Sequence, residues 1–167
     1  LFFLLVGCLV GKLWRCDSDE SSWTQLTGAK NTVHATNQVD LVQMVDKMFV
    51  ADGANKMRMI TNDATSPVPS EHGLEFSGIT LHTNRLFGFG VPGQPQDAIY
   101  ASAIIDGTTW DTTNDQIRIG GHSGDPIIAL QSWANFNLIV FKERSVFLVN
   151  TNPQLLVSSF WEVNQIS

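Results

Sequence analysis

An all-β fold is what this sequence predicts, on three observations. Short apolar runs recur along the whole 167-residue chain, separated by clusters of Gly, Pro, Asn, Asp and Ser. Asp52-Gly53 stands between two such runs, Met48–Ala51 and Lys56–Ile60, a strong local hairpin signal. No stretch keeps apolar residues at the three- and four-residue spacing of a helix. Val39 to Val50 comes closest, with Val42, Val45 and Phe49, and its β-branched content favours strand.

Composition sets the outer limits. A chain of 167 residues is long enough for one domain with a real core. Hydrophobic residues make up 43% and charged residues 16%, a balance that argues against disorder. The formal net charge of −6 argues against a reader that grips nucleic-acid phosphates with clustered Lys and Arg. Cys8 and Cys16 are too few for a disulfide framework and are expected as buried thiols.

The strands follow in order. Leu1–Val10 is too short to span a membrane, so no membrane anchor is expected. Leu5-Val6-Gly7-Cys8 has the look of a bacterial lipidation box, but no basic residue precedes the run. It is read as a buried strand pair turning at Gly7 or Gly11. Lys12–Cys16 alternates as a half-buried strand, and Trp23–Leu26 follows as another. Between them Asp17–Ser22 is a solvated turn. As a calcium loop it would need Gly and Glu where Ser22 and Gly28 stand. Thr32–Thr36 and Val39–Val45 read as strands, and Lys56–Ile60 puts Met57 and Met59 on one face as core filling. Thr61–Gly73, with Pro67 and Pro69, reads as a long loop, and Leu74-Glu75-Phe76 as a short strand.

The second half is denser. Leu81 to Gly90 holds a strand, a polar dip at Asn84-Arg85 and a second strand. A Gly/Pro loop leads to a third strand ending at Tyr100 to Ser102. Asp106–Trp110 reads as a turn followed by an aromatic, and Gln116–Ile119 as a strand. Pro126–Leu130 leads into the next strand. Leu138–Phe141 and Ser145–Val149 form a tight hairpin, and Leu155–Trp161 closes the chain.

Four hairpin kernels line up, at approximately 1–30, 39–62, 74–119 and 126–167. Trp23, Trp110 and Trp161 trail three of them. Repeats of this length, with three or four strands each, point to blades of a β-propeller. Stacked blades bury both faces of each sheet, which accounts for the unbroken apolar runs. A β-sandwich is the alternative. Both ends of the sequence fall inside strands, so an open segment of a larger propeller is expected, cut from a longer protein.

From Thr80 to Asn150 the chain resembles the β-propeller proteins of tailed-bacteriophage tails, the nozzle, tail-tube or head-closure components. The resemblance is carried by His82-Thr83-Asn84-Arg85-Leu86-Phe87, Asp97-Ala98-Ile99-Tyr100-Ala101-Ser102 with Thr109-Trp110 after it, Gly124–Leu130, and Leu138–Val146. It implies a virion structural protein in a symmetric homo-oligomeric ring, contacting other tail subunits, with DNA passing through the lumen. It transfers no catalytic residues.

Chemistry offers less. Gly121-His122-Ser123-Gly124-Asp125-Pro126 superficially resembles the nucleophile loop of chymotrypsin-like proteases. A triad would draw on His34, His72 or His82 and on Asp46, Asp52 or Asp63, and none stands in a matching motif. Asp125 in place of a loop glycine would repel the developing oxyanion. His122 with Asp125 is too small a set for a metal. Trp23, Trp110 and Trp133 would suit a carbohydrate- or receptor-binding module if exposed, but sheet packing is the expected role. No cofactor fingerprint is present. The expectation is a non-enzymatic building block with no catalytic, cofactor or metal residues.

Overall fold

A computed structural model describes residues 6–9, 11–16, 22–61, 69–121, 124–152 and 161–167, with backbone alone for 6–9. The expected strand over Leu155–Phe160, the turn at Asp17–Ser21, and His122, Ser123 and Asp63 lie outside the described residues.

The described chain is all-β, in four antiparallel sheets that follow one another along the sequence. The first holds β1 (Val6–Leu9), β2 (Lys12–Cys16) and β3 (Trp23–Gln25). The second holds β4 (Asp40–Met44), β5 (Lys47–Ala51), β6 (Arg58–Thr61) and β7 (Ser70–Glu71). The third holds β8 (Gly78–His82), β9 (Arg85–Phe89), β10 (Ala98–Ala103) and β11 (Asp106–Trp110), with β12 (Gln116–Arg118) also pairing with β10. The fourth holds β13 (Ile127–Trp133), β14 (Asn137–Lys142), β15 (Val146–Asn150) and β16 (Glu162–Gln165). Within the second and fourth sheets each strand lies beside its predecessor, and short turns make the β4–β5, β13–β14 and β14–β15 connections.

Alternation along the strands explains the packing. In β5, Phe49 and Ala51 face the third sheet and Val50 faces the first. In β9, Leu86 faces the second sheet while Phe87 and Phe89 face the fourth. The result is three buried clusters, each joining one sheet to the next. The second and third sheets are therefore apolar on both faces, which is why their strands read as near-continuous apolar runs. Each fully buried Phe or Leu contributes about 1.5–3 kcal/mol.

Phe76 is the keystone of the second join. Its ring lies 4.5 Å from that of Trp110 and 6.1 Å from that of Tyr100. It also sits over Gly88, where an added Cβ would come within 2.5 Å of the ring. Met57 and Met59 belong to the same cluster, filling core as their alternation predicts.

Several local expectations need correction. Leu74-Glu75-Phe76 is not a strand: its carbonyls accept from Met57 N (2.9 Å) and Gly53 N (2.8 Å) while Phe76 turns into the core. The fourth strand of that sheet is instead Ser70–Glu71, inside the stretch expected as loop. Thr32–Thr36 makes only a single bridge, Thr32 to Lys12. The backbone there is drawn into turns, because His34 Nδ1 accepts from Thr36 N (3.4 Å) and Asn37 N (3.2 Å). Asp106–Trp110 is a strand, and the turn lies one step earlier at Ile104-Ile105. The first hairpin turns at Gly11 (φ 69°), leaving Gly7 inside β1.

Candidate functional site

The first strands of three sheets meet at a cleft with a polar wall. β8 packs beside both β4 and β13, and each of the three is an edge strand of its own sheet. Between them opens a cleft of ≈ 580 Å³. Its polar wall includes Asn37, Gln38, Asp40, Ser77, Thr80 and Gln131, and its apolar wall includes Leu41, Ile79, Phe89 and Ile127. No Lys, Arg or His is among its described lining residues.

Exposed strand edges invite unwanted pairing, and a side chain blunts this one. Asp40 Oδ2 accepts from Ile79 N at 3.1 Å, so the second sheet caps an edge donor of the third. Asp40 Oδ1 accepts from Gln38 Nε2 at 3.1 Å. Asp52, at the floor of the cleft, is fully buried. It accepts from His34 N (2.8 Å), Ala54 N (3.1 Å), Asn55 N (2.9 Å), Asn55 Nδ2 (2.8 Å) and Arg58 NH1 (3.3 Å). Burial alone would raise its pKa, but the donors of Asn55, Ala54 and His34 outweigh it and hold the carboxyl below its ordinary value. Asp52 therefore stays ionised, paired with the buried Arg58.

The described candidate histidines and aspartates have structural partners, and His34 meets Asp52 through its backbone N–H at 2.8 Å. His34 is tied to its own turn. His72 Nε2 meets Ser70 Oγ at 3.0 Å. Asp125 Oδ2 accepts from Ser145 Oγ (2.9 Å) and Arg144 N (3.3 Å), which ties the loop before β13 to the β14–β15 turn. Asp46 stands in the β4–β5 turn. Among the described residues no group of three His, Cys, Asp or Glu is placed to hold a metal. Cys16 is a buried free thiol.

His82, weighed in the sequence as a triad candidate, sits instead between two sheets. It is 3% exposed and joins the third sheet to the fourth. Its Nδ1 lies 2.8 Å from Ser132 Oγ and its Nε2 lies 2.8 Å from Thr151 Oγ1. Thr151 Oγ1 donates to Phe136 O at 3.1 Å. The threonine proton is thus spent, so Nε2 carries the imidazole hydrogen and Nδ1 accepts from Ser132. Burial holds the His82 pKa below its ordinary value, and the ring is neutral. The nearest signal in the sequence is the polar His82 closing the apolar run from Ile79.

Of the tryptophans weighed as binding platforms, Trp110 is half-buried on Phe76 and donates to Gly107 O at 3.0 Å. Trp23 and Trp133 are 48% and 60% exposed, but they belong to the first and fourth sheets. Asp106 is pushed down to about 2, chiefly by the Thr108 hydroxyl, with the Thr108 amide and the Thr109 hydroxyl adding to it. Among the described residues no helix is long and apolar enough to cross a membrane. No protein-family model matches the chain, and no curated protein matches it.

Proposed function

We propose that the four sheets are blades of a β-propeller-like array and that the chain is a structural component of a tailed-bacteriophage tail. In this reading it belongs to a symmetric ring of nozzle, tail-tube or connector type, with other tail subunits as partners. The supporting observation is the convergence of β4, β8 and β13 on a cleft whose described lining has carboxylates and amides but no cation. Blade arrays place their first strands toward a common axis. A conduit for DNA must let phosphates pass without holding them, and binding to phosphates rests on Lys and Arg. Asp40 with Gln38, Thr80 and Gln131 gives such a wall, and Asp52 beneath is paired with the buried Arg58. The role is mechanical, and no residue is assigned a catalytic part.

The test is a density map of the tailed particle that contains this chain. The reading requires density on the tail axis, with β4, β8 and β13 toward the lumen. Density away from the axis, at a fibre or on the capsid surface, would refute the conduit.

A further inference from the structure

We propose that the cleft between β4, β8 and β13 holds a small aliphatic diamine in its diammonium form. The proposal rests on the cleft alone and does not depend on a place in the tail. The cleft measures ≈ 580 Å³, and small-molecule sites run from about 300 to 1,000 Å³. A bare metal ion needs less room and more charged ligands. Among the described residues no three His, Cys, Asp or Glu are grouped to hold one. Asp52 beneath the wall is already paired with Arg58. Asp40 therefore sets the charge of a wall whose described lining has no Lys, Arg or His.

The way the wall's amides are held selects the ligand. Asn37 Nδ2 donates to Asp52 O at 2.8 Å, Gln38 Nε2 to Asp40 Oδ1 at 3.1 Å, and Gln131 Nε2 to Ser132 O at 3.1 Å. Each amide nitrogen is spent on a protein acceptor, and no described donor reaches the three amide oxygens. Ser77 Oγ gives its hydrogen to Gly90 O at 2.8 Å, which leaves its lone pairs open. Asp40 accepts one bond at each carboxylate oxygen, and each oxygen has room for a second. The wall is thus richer in acceptors than in donors, and it is negative. Its complement is a cation with several donors and no acceptor. A primary ammonium has three N–H groups and no lone pair. Phosphates and carboxylates are repelled by Asp40, and a neutral sugar gains nothing from its charge.

The acceptors stand on two sides of the cleft. Asn37, Gln38 and Asp40 lead into β4, Gln131 belongs to β13, and β8 packs beside both strands. The lining also carries apolar surface, from Ile79 and Phe89 of the third sheet and from Leu41 and Ile128 on its two neighbours. Methylene groups cover apolar surface while a charged end reaches polar groups, as in a lysine side chain. A short alkyl chain with an ammonium at each end meets both sets of acceptors and lays its methylenes over the apolar lining between them.

Amide NMR of the whole chain, titrated with 1,4-diaminobutane at low ionic strength, tests this. At about 20 mM, well above a Kd of about 1 mM, the signals of Asp40, Thr80 and Gln131 should shift and saturate. Asp40→Asn keeps an acceptor for Ile79 N but loses the charge, and should weaken binding about tenfold. Gln131→Leu, at an exposed position, should weaken it about threefold, and it stands as the test if Asp40→Asn unfolds. Butylammonium, with one charged end, should bind more weakly than the diamine. No saturating shift with the diamine overturns the proposal, as do shifts that neither variant changes. Butylammonium binding as tightly removes the two-ended ligand. Tighter binding of N-acetyl-lysine methylamide gives the cleft to a partner's lysine and overturns the free diamine. Inorganic phosphate or glucose saturating the same signals overturns it too. A particle map that removes the chain from the tail axis defeats the conduit reading and leaves this result standing.

Discussion

The join between the second and third sheets can be set beside the join between the third and fourth. The first is closed by shape: Phe76 is wedged between Trp110 and Tyr100 over Gly88, with Phe49, Met57 and Leu86 around it. The second is also apolar, through Phe87, Ile99, Leu138 and Trp161, but a polar chain runs through it. His82 reaches Ser132 and Thr151, and buried Lys142 donates its Nζ to Ile119 O at 3.0 Å. Burial without hydrogen bonds would be costly for these groups, and burial favours the neutral imidazole of His82. The core of the first interface answers to volume, with the Asp40–Ile79 hydrogen bond at its rim, and the second answers to volume and pH.

Removing the wedge has the largest expected effect. Phe76→Ala should cost about 3–5 kcal/mol, from lost burial and the cavity left behind, read as a drop in the denaturant midpoint. Filling the same spot from below comes next. Gly88→Ala brings a methyl to within 2.5 Å of the Phe76 ring and should cost about 1–3 kcal/mol. If Gly88→Ala is neutral, Phe76 is not held where it is described.

The pH response should separate the two joins. The folded pKa of His82 lies below its unfolded value of about 6.5, so the unfolded chain binds the proton more readily. The stability that His82 contributes is complete above that pH and is lost as pH falls toward the depressed folded value. Thermal unfolding from pH 8 to pH 5 should show this loss, and His82→Gln should flatten it. A wild-type profile unchanged by that substitution would mean that the polar chain carries no protonation preference.

The smallest expected effect lies outside both joins. Val45, 66% exposed in the β4–β5 turn, has φ 58°. The left-handed region costs an L-residue roughly 1–2 kcal/mol, and glycine gives back part of that in chain entropy. Val45→Gly should therefore stabilise the fold by about 0.5–1 kcal/mol, seen as a small rise in melting temperature.

Strand alternation made much of this architecture legible. The runs around Met48, Leu86 and Leu138 showed their hairpins because apolar and turn residues alternate cleanly there. Leu74-Glu75-Phe76 misled because an apolar–polar–apolar alternation looks the same whether it pairs in a sheet or crosses beneath one, and only tertiary packing tells Phe76 where to point. Ser70–Glu71 and Glu162–Gln165 were missed because polar strands carry no period-two signal. The cleft was not legible either, since Asp40, Ser77 and Gln131 are brought together by the stacking of three sheets. His82 was visible as a residue, but its partners lie 50 and 69 positions away in sequence.

Spin-label distances test the blade arrangement most directly. One pair of labels goes on first strands, at Leu41 of β4 and Gln131 of β13. The other goes on last strands, at Glu71 of β7 and Glu162 of β16. Stacked sheets lie about 10 Å apart, so two steps of the array put the first-strand pair about 20 Å apart. Blades that fan out from an axis require the last-strand pair to be clearly farther apart than the first-strand pair. Equal separations, or a shorter last-strand distance, would contradict the array and favour a flat sandwich of layers.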